Sequence, residues 1–244
     1  MLPVSLCLDF GNTSCKAAVF YGNRLADKFT FNEQDALRVI DGILQQFQPQ
    51  KAILSSVIKH NQSIHDLLLK KTKLIVLNAQ TKLPFLNAYG SPETLGNDRL
   101  ALVAGLSQRF PNEDSLVISI GTCITYNFLA KNNAFRGGAI SPGIQMRLKS
   151  LHEATANLPL VEREGHFSIL GYDTETSIRS GVLNGMAAEI DGMIERYSDQ
   201  YGKINAVLTG GDAPFFESRL KSKIFADSNF LFKGLYAILE INNP

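Results

Sequence analysis

Apolar positions along the chain alternate between two spacings. Residues 4–8 form an apolar run broken only by Ser5, and residues 17–20 form another after the mostly polar stretch 9–16. Short apolar runs around a glycine-containing polar segment predict two strands joined by a tight turn. Residues 24–31 predict a third strand. Asn32 can cap a helix over 33–47, where Ala36, Leu37, Ile40, Ile43, Leu44 and Phe47 recur on one face. Pro49 ends it. A buried strand over 51–58, a helix over 62–71 and a strand over 74–77 complete an alternating β/α series. Residues 81–96 lapse into a loop with Pro84, Tyr89, Gly90, Pro92 and Gly96, and the apolar stretch after Asp98 and Arg99 predicts a further helix.

The pattern then begins again. Residues 116–120 are apolar apart from Ser119, residues 121–125 read Gly-Thr-Cys-Ile-Thr, and residues 126–129 return to apolar character. Ser119 stands where Asp9 stood, and Gly121 where Gly11 stood. A third strand around 134–141 follows, as 24–31 followed the first hairpin. Farther on lie a glycine-rich passage at 137–143, a long helix reaching Tyr201, and a strand at 206–208. The helix carries Ile178, Val182, Met186, Ile190, Ile194 and Tyr197 along one face, and the strand ends in Thr209, Gly210, Gly211 and Asp212. The organisation predicts an α/β fold of two lobes on a shared β-β-β-α-β-α plan, with residues 1–114 in the first and 115–244 in the second.

Composition narrows the class. With 45% apolar and 19% charged residues, the chain can bury a sizeable core. A net charge of +1 gives no electrostatic reason to expect nucleic acid or an anionic membrane as partner. No apolar stretch approaches the roughly 20 residues of a membrane span. Residues 1–8 lack a basic segment and meet Asp9 too early for a signal peptide, so a cytoplasmic protein is expected. Cys7, Cys15 and Cys123 lack metal-ligand spacing, and reduced thiols are expected.

The polar turns carry the candidate chemistry. In Asp9, Phe10, Gly11, Asn12, Thr13, Ser14, Cys15 and Lys16, the backbone N–H groups of the turn can point at an anion. Asp9 repels phosphate but can hold a divalent ion, or a water on one, that bridges phosphate oxygens. Lys16 adds positive charge. Asp98 stands at a helix start, where it can be a simple cap or a base, and Arg99 can meet a carboxylate or phosphate through two parallel hydrogen bonds. Phosphoryl transfer needs this combination of charge neutralisation, positioning and a proton acceptor. The P-loop signature G-x-x-x-x-G-K-[ST] does not occur.

These stretches resemble the actin/hexokinase/Hsp70-type ATPases, in which ATP lies between two ribonuclease-H-like lobes, each a mixed sheet with flanking helices. Within that superfamily the chain resembles type III pantothenate kinase. The matching segments are D-F-G-N-T-S-C-K at 9–16, Tyr89 with G-N-D-R at 96–99, G-T-C-I-T at 121–125 and G-G-A-I-S-P-G at 137–143. They continue with T-A-N-L-P at 155–159, D-T-E-T-S-I-R-S-G at 173–181 and L-T-G-G-D at 208–212. The resemblance implies ATP- and Mg²⁺-dependent phosphorylation of pantothenate, the first step of coenzyme A synthesis. By position it puts residues 9–16 and Thr122 on ATP, with Asp9 at the divalent ion through water. Tyr89, Gly96, Asn97, Asp98 and Arg99 fall on pantothenate, and Asp98 on the catalytic base. Thr174 falls on a pantothenate contact donated by the other subunit of a homodimer, although Asp173 stands where the family usually has Asn. The family's second loop usually carries acids where this chain has Ser119 and Asn127. The first of them helps hold K⁺ or NH₄⁺, so weaker dependence on that cation is expected. The alternatives are a kinase for another small hydroxyl compound and a nucleotide-binding regulator with weak or lost catalysis.

Overall fold

The computed structural model of the protein describes residues 2–58 and 61–243. Met1 and Pro244, the outer limits of the two expected lobes, lie outside the described residues. The chain divides into two compact units. The first comprises residues 1–112, 132–136 and 229–244, and the second 113–131 and 137–228.

In the first unit, β1 (Val4–Phe10), β2 (Cys15–Tyr21) and β3 (Arg24–Phe31) form an antiparallel meander. Then come α1 (Ala36–Phe47), β4 (Lys51–Ser56), α2 (Gln62–Lys71) and β5 (Lys73–Val76). The sheet order is β3-β2-β1-β4-β5, with β4 parallel to both β1 and β5. Leu6, Leu8, Phe10, Ala17, Val19 and Leu54 face Ala36, Ile40, Ile43 and Leu44 of α1 and Ile64 and Leu68 of α2. Asn32 makes no side-chain cap, and a 3₁₀ turn over Glu33–Asp35 precedes α1. Leu37, expected on the buried face, is 42% exposed. It sits at the margin of the stripe, where Ala36 and Ile40 already fill the contact.

After β6 (Leu86–Asn87), helix α3 (Asn97–Arg109) begins at Gly96, which occupies the N-cap position. The second unit contains β7 (Ser115–Ile120), β8 (Cys123–Leu129), β9 (Ala134–Pro142), α4 (Ile144–Glu153), α5 (Thr174–Tyr201), β10 (Asn205–Thr209), α6 (Ala213–Glu217) and β11 (Phe225–Ala226). The start of β9 belongs to the first unit, where it pairs with β6. Within the second unit β7 and β8 are antiparallel, and β10 runs parallel to β7 and β11. The apolar stripe of α5 packs on Leu116, Ile118, Ile120 and Tyr126, as its spacing predicts.

The last helix, α7 (Phe230–Asn242), returns to the first unit. Its Gly234 meets the backbone of Ala101, and the Phe230 ring fills the space beside Gly105, so α3 and α7 approach closely at Gly234. Tyr236 stacks on Phe20 with ring centres 4.8 Å apart, on the opposite face of the sheet from α1 and α2. The first sheet is therefore covered on both sides, as its parallel strands β1, β4 and β5 require.

Candidate active site

The first hairpin delivers Asp9 to the carboxyl end of β1. Asp9 pairs with Lys16 across β2 and with Ser55 on β4. The turn itself is closed by the Gly11 amide donating to the Ser14 carbonyl at 3.2 Å. Gly11 does not need a positive φ here. A Cβ at this position would stand 3.3 Å from the Ser14 oxygen, so the glycine serves close approach. Asn12 and Thr13 are exposed and Ser14 half-buried, whereas the side chains of Phe10 and Cys15 turn into the core. The part of the loop open to a ligand is its backbone and the side chains of Asn12, Thr13, Ser14 and Lys16.

Asp9 is only 8% exposed, and Ser55 Oγ donates to its Oδ1 at 3.1 Å. Burial pushes its pKa up to about 6, and the nearby charge of Asp98 adds to the rise. The Ser55 hydrogen bond and Lys16 pull the other way. Asp98 lies in the first turn of α3 and is also raised, chiefly by burial. Its own backbone N–H, that of Arg99, and the Arg99 charge offset part of that rise. Gly96 leaves room for this carboxyl, because a Cβ there would lie 2.5 Å from Asp98 Oδ1 and push it aside.

Arg99 is nearly buried at 6% exposure. Its guanidinium carbon lies 5.4 Å from the centre of the Tyr89 ring and 5.9 Å from that of Phe135. The two rings stack on each other with centroids 6.0 Å apart. Such stacking offsets part of the cost of burying the charge, by about 0.5–2 kcal/mol per ring. Asn97 Nδ2 donates to the carbonyls of Ser56 at 3.2 Å and Leu77 at 3.0 Å. Asp9, Lys16, Tyr89, Asn97, Asp98 and Arg99 thus all belong to the first unit.

The second unit repeats the hairpin with different chemistry. Ser119 pairs with Thr125 on β8 and with Thr209 on β10, the same relations that Asp9 has to Lys16 and Ser55. Asn127 is fully buried, and its amide donates to Thr125 Oγ1 at 3.3 Å. Thr122 is exposed on the turn. The glycine-rich segments brace that turn. The Gly143 amide donates to the Thr122 carbonyl at 3.0 Å, and a Cβ on Gly143 would collide with the carbonyls of Gly121 and Thr122. Gly210, at φ +101°, packs against the Ile120 carbonyl in the same way.

Thr174 is the first residue of α5, exposed beside Asp173, which caps the helix in a reciprocal box with Thr176. It lines an open groove of about 950 Å³ with Arg147, Leu151, Leu158, Ser177 and Ile178. The apolar side chains of Ile169, Leu170 and Tyr172 stand exposed in the segment that leads into α5.

Residues 5–196 match the family model of type III pantothenate kinases. The chain belongs to that family. The type III pantothenate kinase of Christiangramia forsetii is 42% identical over 240 residues, covering 98% of this chain and 99% of the relative. That of Bacteroides fragilis is 41% identical over 241 residues, with the same coverage. A Campylobacter jejuni structure assigned to the Baf family of transcriptional activators superposes with a TM-score of 0.61 at 23% identity, covering 97% of this chain and 98% of that one. A ROK family glucokinase of Streptomyces griseus gives 0.51 at 11% identity, covering 98% and 99%. At these identities the two structures share the fold, which is that of the actin-like ATPases and ROK kinases.

Two residues of this pantothenate kinase family member escape a reading of its motifs. Ser55 ends an apolar strand and reads as loop polarity, and Phe135 sits far along the chain from Arg99. Register and stacking give each of them its place. Among the described residues, no group of three or more His, Cys, Asp or Glu side chains could hold a metal ion. No helix of the described residues is long and apolar enough to cross a membrane.

Proposed function

We propose that this chain transfers the γ-phosphoryl group of ATP to the primary hydroxyl of pantothenate, giving 4′-phosphopantothenate and ADP for coenzyme A synthesis in the cytoplasm. The observation that carries the reading is the pair Asp9 and Asp98. A buried and a half-buried carboxylate stand near enough for the charge of Asp98 to raise Asp9, one beside a polar hairpin turn and one in the first turn of a helix.

Asp98 takes the proton of the attacking hydroxyl. Burial lifts its affinity for a proton, while the helix amides and Arg99 keep the carboxylate available, the balance a general base needs near neutral pH. The oxygen–phosphorus bond to pantothenate forms as the bond to the ADP oxygen breaks. Lys16 and the polar turn of residues 12–14 offset the phosphate charge. Tyr89, half-buried, meets the pantothenate end of the site, and Arg99 supplies positive charge from behind its ring for the substrate carboxylate.

Asp9 suits a divalent ion only in one way. As a single carboxylate with one oxygen engaged by Ser55, it fits Mg²⁺ held mostly by nucleotide phosphates and water. Bound there, the ion would withdraw charge from the phosphate being transferred. Ser119 and Asn127 offer neutral oxygens where a carboxylate would hold K⁺ or NH₄⁺, so such an ion would be weakly held. Thr174 reaches the pantothenate of a second copy in a homodimer, a reading supported by its exposure beside the apolar residues Ile169, Leu170 and Tyr172.

The test is product formation. Purified protein with ATP and Mg²⁺ is offered pantothenate or a panel of sugars and polyols, and products are identified by mass. Phosphopantothenate alone is expected. Phosphorylation of a sugar instead, or tight ATP binding without any product, would refute the reading.

A further inference from the structure

Strand β4 ends in two consecutive serines that serve different partners. Ser55 is fully buried, stands in parallel register beside Asp9, and places its one hydroxyl proton on Asp9 Oδ1 at 3.1 Å. A hydroxyl donating to a carboxylate makes one of the stronger neutral-to-charged hydrogen bonds, and it selects one rotamer of the acid. Ser56, the next residue, presents its backbone carbonyl to Asn97 Nδ2 at 3.2 Å. The second hydrogen of that nitrogen goes to the Leu77 carbonyl at 3.0 Å, just past β5, and the Leu77 amide continues the ladder to Leu54. An amide NH₂ has two hydrogens. Asn97 has placed both on the ends of β4 and β5, so its side chain has no donor left for a substrate. It pins the first residue of α3, next to Asp98, to the strand that also fixes Asp9.

We propose that Ser55 and Asn97 are positioning residues, which through the end of β4 hold the Asp9 and Asp98 carboxylates at a fixed separation. The proposal rests on the reading of those acids given above, and assigns to Asn97 a role other than contact with pantothenate. Neither residue touches the reacting atoms. Their effect comes through geometry, where a displacement of about 1 Å can cost ~10²-fold in rate.

The test uses the full chain with Ser55→Ala and Asn97→Ala, each compared with wild type for melting temperature, kcat, pantothenate KM and half-saturating Mg²⁺. Mn²⁺ binding to the protein–ATP complex is measured by electron paramagnetic resonance. Ser55→Ala should lower kcat ~10- to 100-fold, raise half-saturating Mg²⁺ about 3-fold or more, and weaken Mn²⁺ binding in step, with pantothenate KM within about 2-fold. Asn97→Ala should lower kcat by a similar ~10- to 100-fold, with pantothenate KM and Mn²⁺ affinity both kept. If Asn97→Ala does not fold, Asn97→Ser, which retains one donor, should fold and show an intermediate kcat. A raised pantothenate KM at unchanged kcat in either Asn97 variant would make that residue a substrate contact and overturn the proposal. So would a Ser55→Ala enzyme with wild-type kcat and metal dependence. Should the wild type make no phosphopantothenate, it is the functional reading that fails. The Mn²⁺ measurement would still decide whether Ser55 orients Asp9.

Discussion

The guanidinium of Arg99 lies 5.4 Å from the centre of the Tyr89 ring, in a helix whose first turn also carries Asp98. An arginine in this position keeps a full charge in a nearly closed site because its planar face can stack, which a lysine ammonium cannot do. Arg99→Lys should therefore raise the KM for pantothenate ~10-fold or more while kcat changes less. Arg99→Met, which keeps the bulk and removes the charge, should raise it further. Steady-state kinetics with varied pantothenate reads both. An unchanged KM in Arg99→Met would show that the charge does not reach the substrate.

Asp9 sets a pH dependence whose sign follows from its surroundings. Its pKa rises from 3.8 to about 6 in the folded protein, so the folded state binds the proton more tightly than the unfolded chain does. That contribution to stability is fully present below 3.8 and is lost as the pH rises through about 6. Without divalent metal, Asp9→Asn should thus be more stable than wild type at pH 8, by ~1–3 kcal/mol, with the difference vanishing near pH 4. Thermal melts across this range test it. The same substitution should nearly abolish turnover. Equal melting temperatures at both pH values would contradict the burial cost assigned to Asp9.

How much of this was legible in the residues follows from what is local. The runs at 4–8 and 17–20 and the stripe on α5 are short-range patterns, and the strands and helix formed where periodicity placed them. The equivalence of Ser119 with Asp9 was visible in the matching spacing of two hairpins, and the strand registers repeat it. Leu37 satisfied helical spacing yet stays exposed, because spacing names a face but not its width. Ser55 was only a polar residue after an apolar strand. Its partner is fixed by parallel pairing with a strand far away in sequence, which no local pattern records. The same holds for α7, whose apolar residues announce burial without saying that the helix packs on α3 in the first unit.

Gly143 offers a test of the second turn. A methyl group there would collide with the carbonyls of Gly121 and Thr122, and the neighbouring strand ends leave little room to move. Gly143→Ala should lower the melting temperature by ~5–10 °C and weaken ATP binding more than pantothenate binding. Gly185→Ala, at a helical position with nothing within 4 Å, is the control and should be neutral or slightly stabilising. A Gly143→Ala protein with wild-type nucleotide affinity would remove the turn from the phosphate site.

Ser119 and Asn127 bear on monovalent cations. A serine hydroxyl and a carboxamide supply neutral oxygens, and the Asn127 amide is already engaged with Thr125. Activity should depend only weakly on K⁺ or NH₄⁺, changing less than about 3-fold between their absence and saturation, since no carboxylate anchors the ion. Titrating KCl against a large organic cation at constant ionic strength measures this. A steep, saturable rise from near zero would show that neutral ligands suffice.

In the proposed reaction Asp98 accepts the proton of the pantothenate hydroxyl. Asp98→Asn keeps the shape beside Gly96 and removes the base. The decisive measurement is the rate of phosphopantothenate formation by Asp98→Asn and wild type at saturating ATP, with ATP affinity determined in parallel. A fall of ~10²–10⁴-fold is expected, with ATP affinity little changed. A rate within a few fold of wild type would contradict it and leave Asp98 as a helix-terminal carboxylate with no part in the chemistry.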